Sequence, residues 1–149
     1  MNRRLYRLCY FSENRIPGDA DQVVAEIRQI LSMSRHNNAA AGISGALMFN
    51  SGCFVQILEG ALPNVEETFE LIQRDERHGA ITVVALEPIE SRSFEHWSMA
   101  FVGASLDDAE KFSGIVDPSS FNPSQMSADH LHELLCRLAL EQEDRSELR

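Results

Sequence analysis

Two hydrophobic periods take turns along this chain, one of two residues and one of 3.6, and their order leaves few folds open. Residues 6–11 alternate as a strand does. Val23, Ile27, Ile30, Leu31 and Ser34 then share one stripe of a helix expected from about residue 21 to 38. Strands are expected at 43–49 and 54–58, joined across Asn50, Ser51 and Gly52, a hairpin turn signal. Residues 60–63 open a second helix, since Pro63 is tolerated in a first turn. Its stripe is Val65, Phe69 and Ile72, and it is expected to end near Arg77, His78 and Gly79. Strands return at 81–86 and 97–102. The order βαββαββ predicts an α+β sandwich of ferredoxin-like type.

Two of these strands lack a polar face. Residues 81–86 are nearly apolar throughout, and Cys53, Val55 and Ile57 give their strand a second apolar side. Such strands need cover on both sides. The two main helices supply one cover. A C-terminal helix bearing Leu131, Leu134, Leu135 and Leu138 is the expected cover for the second face. Ser127 is its expected N-cap, with Met126 stapled onto Leu131. A loop with Pro118 and Pro123 separates it from a shorter helical pattern, and the charged tail 141–149 is expected to fray. The division is thus a core of residues 1–103 and an extension of 104–149 within one globule, as 149 residues allow.

Charge narrows the partners. Thirteen basic residues stand against 23 acidic ones, a net charge of −10. Such a surface repels phosphate backbones, so no nucleic-acid partner is expected. No stretch reaches membrane-spanning length. The basic N-terminus is interrupted by Arg7 and reads as a strand rather than a signal peptide. Cys9, Cys53 and Cys136 are odd in number and without CxxC spacing, which fits a reducing cytoplasm.

The informative anomalies are polar residues on the helix-facing side. Alternation groups Tyr6, Leu8 and Tyr10 on one strand face and Phe54, Gln56 and Leu58 on another, so Gln56 interrupts an apolar row. Asn38, four residues after Ser34, extends the buried stripe of the first helix, with Asn37 beside it. A buried amide without partners costs about 1–3 kcal/mol. Paired donors and acceptors of this kind suit a planar heteroaromatic ligand whose rim alternates carbonyl and N–H groups. Each also has a plainer reading: Gln56 bonded to backbone or water, Asn38 as a helix cap, Tyr10 as a core tyrosine. Composition and spacing stop at an α+β domain with polar groups along one buried face.

At these residues the sequence resembles the BLUF family, sensors of blue light using flavin. The matching pieces are Tyr10-Phe11-Ser12, Ser34-Arg35-His36-Asn37-Asn38, and Gly42-Ile43-Ser44-Gly45. They continue with Gly52-Cys53-Phe54-Val55-Gln56-Ile57-Leu58-Glu59-Gly60, Arg74-Asp75-Glu76-Arg77-His78, and Trp97-Ser98-Met99. Ser44 stands where the family often has threonine, and the hydroxyl is kept. The resemblance implies that Tyr10 is the photochemical electron and proton donor and Gln56 the amide between it and the flavin. It implies that Asn38 holds the pyrimidine rim with Asn37 beside it, and that Arg74, Asp75 and His78 border the ring and ribityl side. Trp97 and Met99 match the pair linked to rearrangement of the last strand. FAD is the implied cofactor, with FMN as the alternative, bound non-covalently.

By the same resemblance the chain is a photoreceptor and not an enzyme. Only about 45 residues follow the core, too few for a cyclase or phosphodiesterase. The signal is then expected to leave through a separate signalling protein of unknown identity, or through homo-oligomerisation. Three rivals compete. An acylphosphatase-like hydrolase needs an arginine in a phosphate-cradling loop, for which Arg15 is a weak candidate. A flavin oxidoreductase needs substrate access and a second redox partner, and no dinucleotide glycine fingerprint is present. A regulatory module for another planar molecule is the third. His130 and His132, two apart on a helix, point to different faces and read as surface residues; no metal site is expected. Cys9 alternates away from Tyr10, which makes it a poor adduct-forming thiol, and Cys136 lies off the leucine stripe.

Overall fold

A computed structural model of the chain describes residues 4–50, 53–94, 100–102 and 127–147. Eight elements follow in the order β1 (Leu5–Asn14), α1 (Ala20–Ala41), β2 (Ser44–Asn50), β3 (Cys53–Ala61), α2 (Leu62–Gln73), β4 (His78–Ile89), β5 (Ala100–Val102) and α3 (Ala128–Glu147). The sheet order is β4-β1-β3-β2-β5. The first four strands are antiparallel to their neighbours, and β5 adds on parallel to β2. This is the expected ferredoxin-like arrangement, with β3 near the centre.

Local chemistry sets the element ends. Asp19 and Gln22 close a reciprocal capping box at the start of α1, and Gly42 ends it in the left-handed region at φ 69°. Helix α1 therefore runs three residues past Asn38. Strand β3 also runs further than expected, through Ala61, because Glu59, Gly60 and Ala61 find backbone partners opposite Arg7, Tyr6 and Leu5. Helix α2 stops at Gln73, and residues 78–80 belong to β4 rather than to the helix. Pairing explains this too: His78 and Gly79 lie opposite Asn14 and Glu13. Gly45 permits β2 to sit tightly on β3, since a Cβ there would lie 2.0 Å from the Ile57 carbonyl oxygen.

Two apolar layers cover the sheet. On one face Leu8, Leu47, Phe54 and Leu58 pack with Ile27 and Leu31 of α1 and Val65 of α2. On the other, Cys9, Met48, Val55 and Ile57 pack with Phe94 and with Leu131 and Leu135 of α3. The C-terminal helix thus covers the second face, as the leucine stripe predicts. Ser127 caps it: its hydroxyl accepts from the His130 N–H at 3.1 Å. The tail departs from expectation, for α3 continues to Glu147. Glu141, Gln142, Glu143 and Arg145 are good helix formers, which favours continuation through these turns. Met126 and residues 104–126, including the shorter helical pattern, lie outside the described residues.

Leu135 is fully buried between α3 and the sheet. Leu135→Ala is expected to destabilise the fold by about 2–5 kcal/mol in urea unfolding, with little change at the opposite face.

Candidate functional site

The site begins with the pairing of two strands. β1 and β3 place Tyr10 directly opposite Gln56, and both side chains point to the helix side. Strand β1 is irregular there, with a register shift against β4 between Cys9 and Tyr10. Bulges of this kind re-aim side chains next to functional sites. The Tyr10 hydroxyl donates to Gln56 Oε1. The phenol ring packs on Phe69 of α2, with centroids 5.3 Å apart and planes tilted by 52°. Tyr10 is 2% exposed and Gln56 4%. Burial chiefly, then the Asp75 carboxylate and the Cys9 thiol, push the Tyr10 pKa upward. The group is therefore a phenol at every physiological pH, and it must donate its hydrogen bond.

Above this pair α1 and α2 stand apart and leave a cavity of about 380 Å³, in the range of small-ligand sites. Ile30, Leu47, Phe54 and Ile72 make its wall apolar, and Tyr10, Gln56 and Asn38 place polar groups on it. Asn38 is 2% exposed, while Asn37 stands at the exposed rim. Met33 and Leu71, half-exposed apolar side chains on α1 and α2, flank the mouth. An apolar slot with a few convergent amides matches a flat heteroaromatic ring with carbonyl and N–H edges. The donor set fits an isoalloxazine.

The remaining sequence candidates are placed as follows. Asp75 lies on the cavity wall, but its carboxylate is held by Arg77 at 2.6–3.1 Å. Arg77 also reaches Glu26 at 3.2 Å and Gln29 at 3.1 Å on α1, and so closes one end of the cavity. Arg74 ends α2 with its N–H on the Leu71 carbonyl and is not on the cavity wall. Arg77 takes the wall position, which helical spacing failed to mark because the helix ends before it. His78 opens β4; its side chain is not among the described groups. Trp97 and Met99 lie outside the described residues. Arg15 packs its guanidinium against Gly79. Cys9 faces α3, and burial pushes its thiol up to about 12, which leaves no thiolate for an adduct.

A second polar cluster, on the α3 side, was not read from the sequence. Glu59 is fully buried. Its carboxylate accepts from Arg7 Nε at 3.0 Å, from the Ser93 N–H at 2.9 and 3.1 Å, and from the Phe94 N–H at 2.9 Å. Ser93 Oγ accepts from Arg7 at 3.0 Å and lies 2.7 Å from His132 Nε2. The Ser93 hydroxyl and the imidazole thus share one hydrogen bond, whose direction is set by the ring tautomer. Contrary to its expectation as a surface residue, His132 is half-buried, and Phe94 meets its ring edge-on at 6.1 Å. Cys136 Sγ is 3.4 Å from the same nitrogen. His130 is exposed.

Comparison with known proteins agrees with this geometry. The family model described as sensors of blue-light using FAD, BLUF, matches residues 5–100. The structure of BlsA in its photo-activated state is 32% identical, with a TM-score of 0.75 over 91% of this chain and 94% of that one. BlrB, a BLUF protein in its dark state, is 31% identical, with a TM-score of 0.69 over 92% and 98% of the two chains. Photoactivated adenylate cyclase subunit beta of Euglena longa is 32% identical over 96 residues, which are 64% of this chain and 11% of that protein. The antirepressor BluF of Escherichia coli K12 is 30% identical over 74 residues, 50% of this chain and 18% of that one. The chain thus spans only a small part of these curated relatives. It belongs to the BLUF family: a flavin-binding, blue-light-sensing domain that is not itself a catalyst.

The His132 contact sets a pH dependence. Burial first, then the Arg7 guanidinium, lower its pKa, against the opposing carboxylates of Glu59, Asp129 and Glu133. A depressed value means that the unfolded chain takes up the proton first, so the contribution is present above about pH 6.5 and is lost as pH falls below it. The stability gap between wild type and His132→Ala, read by urea unfolding, is expected to narrow on acidification. A gap that widened would contradict this assignment.

Proposed function

We propose that the Tyr10–Gln56 pair is the light-responsive element and that Asn38, Gln56 and Tyr10, with Asn37 at the rim, hold the FAD ring. Arg77 and Asp75 bound the same cavity, with Arg74 before them at the end of α2 and His78 after them at the start of β4. The observation that carries this reading is the buried hydrogen bond from the Tyr10 hydroxyl to Gln56 Oε1 on the cavity wall. Bound FAD supplies the chromophore and, once excited by blue light, an oxidant. Tyr10 is the residue that answers it: a buried phenol gives up an electron readily only if its proton has an acceptor, and Gln56 Oε1 is in place. Once the electron and a proton have both returned to Tyr10, the amide would be left turned, or as its tautomer if Oε1 keeps the proton it accepted and the one given back derives from Nε2. Either change exchanges the donor and acceptor ends that Gln56 shows to Tyr10 and to the cavity.

A sensor works only if such a change favours one of two conformations. Gln56 is flanked on β3 by Val55 and Ile57, whose side chains pack with Leu131 and Leu135 of α3. We infer that residues 1–103 sense and that the extension 104–149, part of the same globule, reports through α3. Trp97 and Met99, near the end of residues 1–103, are the pair we assign to passing the change on toward the extension. The output is contact with a separate signalling protein, or a change in self-association. With a net charge of −10 and no described helix long and apolar enough to cross a membrane, a cytoplasmic protein partner fits better than nucleic acid or lipid.

The purified protein loaded with FAD is expected to show a red shift of its visible band under blue light that reverses in the dark. Gln56→Leu should bind flavin and lose that shift, and Tyr10→Phe should lose the response as well. A Gln56→Leu protein with the wild-type illuminated spectrum would falsify the assignment. Asn38→Ala is expected to weaken flavin retention by about tenfold, the loss of a buried hydrogen bond, as read by equilibrium dialysis.

A further inference from the structure

Residues 92–94 are held from two sides. Arg92 donates to the Gly42 carbonyl at 2.7 Å, to Ser44 Oγ at 2.9 Å and to the Glu59 carbonyl at 3.0 Å. It thereby supplies a cation at the C-terminal end of α1, whose own last turn has no basic residue. The same end is tied to the cavity, since the Gly42 and Ile43 N–H groups both bond the Asn38 carbonyl. The next two residues turn to the other face. The Ser93 and Phe94 N–H groups bond the Glu59 carboxylate, Ser93 Oγ reaches His132 of α3, and Phe94 is buried beside Leu131 and Leu135.

Glu59 lies three residues after Gln56 on β3 and therefore on the opposite face of the same strand. One strand thus carries the cavity amide on one side and, on the other, the carboxylate that holds the segment touching α3. A buried carboxylate is costly unless every oxygen is bonded, and this one receives an arginine and two backbone donors. Nothing in the binding of a flavin on the far face requires it.

We propose that Glu59 is a positioning residue for the light response, anchoring residues 92–94 so that a change at Gln56 is delivered to α3. The proposal rests on the Tyr10–Gln56 reading above. Displacement of β3 moves Glu59, and the two N–H groups bonded to it carry Ser93 and Phe94 against His132, Leu131 and Leu135. Arg92 ties the start of the segment both to the Glu59 carbonyl of the same strand and to Gly42 at the end of α1, so the segment follows β3 along its length.

The test uses the full FAD-loaded chain, with two readings in dark and blue light: the shift of the flavin band, and hydrogen exchange of the α3 backbone amides. In the wild type, illumination is expected to change α3 exchange by about fivefold or more. Glu59→Gln keeps the side chain's shape but loses the charge on Arg7 and turns a donor toward the Ser93 and Phe94 N–H groups. It should retain the red shift while its light-to-dark exchange ratio in α3 falls to about one. Ser93→Ala, at an exposed position, leaves the Glu59 carboxylate and its two backbone donors in place, removes the side-chain links to His132 and Arg7, and should lower the ratio in the same direction. A purely structural role would alter exchange equally in dark and light and leave the ratio intact. The wild-type ratio in Glu59→Gln overturns the anchor; if that variant does not fold, the wild-type ratio in Ser93→Ala does so. A wild type with a red shift but constant α3 exchange overturns the anchor alone, whereas one without a red shift overturns the photoreceptor reading and the anchor together.

Discussion

Strand β3 is buried along both faces, and that constraint organises the molecule. From Phe54 to Ala61 no residue of it is open to solvent. A strand in this position must be covered by two separate layers, and every polar group on it must find a partner inside. Two residues test the rule. Gln56 meets it through Tyr10 on the neighbouring strand. Glu59 meets it through Arg7 and two backbone N–H groups. Among the described residues, no buried side-chain nitrogen or oxygen lacks a partner. Both polar groups sit where the strand could have been apolar at lower cost, which is the mark of positions kept for function.

The cavity follows from how the first layer is built. Helices α1 and α2 pack on the sheet through Ile27, Leu31 and Val65, yet they diverge over Tyr10 and Gln56. Met33 and Leu71 are consequently half-exposed, large and apolar. Exposed apolar side chains facing one opening mark a ligand's place. A flat ring held there would bury both and complete the layer, serving the core as well as the light absorption. Binding to the folded chain alone then adds stability in proportion to occupancy.

Much of this was legible in the residues, for reasons that differ by element. The two periods mark the described strands and helices, and the double-sided β3 calls for the second cover that α3 supplies; residues 81–86, equally apolar, instead form the edge strand β4, where Val83 and Leu86 are each 47% exposed because no layer reaches that edge. The ends of β3, α2 and β4 were not legible, because pairing with a long β1 decides them and no local pattern records that register. Tyr10 and Gln56 could each be placed on the helix side by alternation, but their mutual contact depends on the same register. Their chemistry came from resemblance of spaced motifs, which physics alone left as three plain alternatives. Glu59 and His132 stayed hidden for a further reason. A carboxylate near a strand end and a histidine on a charged helix ordinarily face water, and their partner Ser93 lies 34 and 39 residues away in sequence. Arg77 was passed over because a longer α2 placed it on a helix end.

The energetics favour a shallow attachment for α3 over a deep one. Exchanging the ends of one amide changes a hydrogen bond or two, worth about 1 kcal/mol each. Such a change shifts a two-state equilibrium by about fivefold, and only if the states are already closely balanced. A helix sealed to the sheet by apolar contacts alone would not answer so small a signal. Here the apolar seal of Leu131 and Leu135 is supplemented at its edge by the Ser93–His132 bond, which lies near solvent. Polar edge contacts have directional demands that apolar ones lack, so a small displacement of residues 92–94 would weaken the Ser93–His132 bond before it disturbed the packing of the leucines. A signal of this size would then be expressed at that edge.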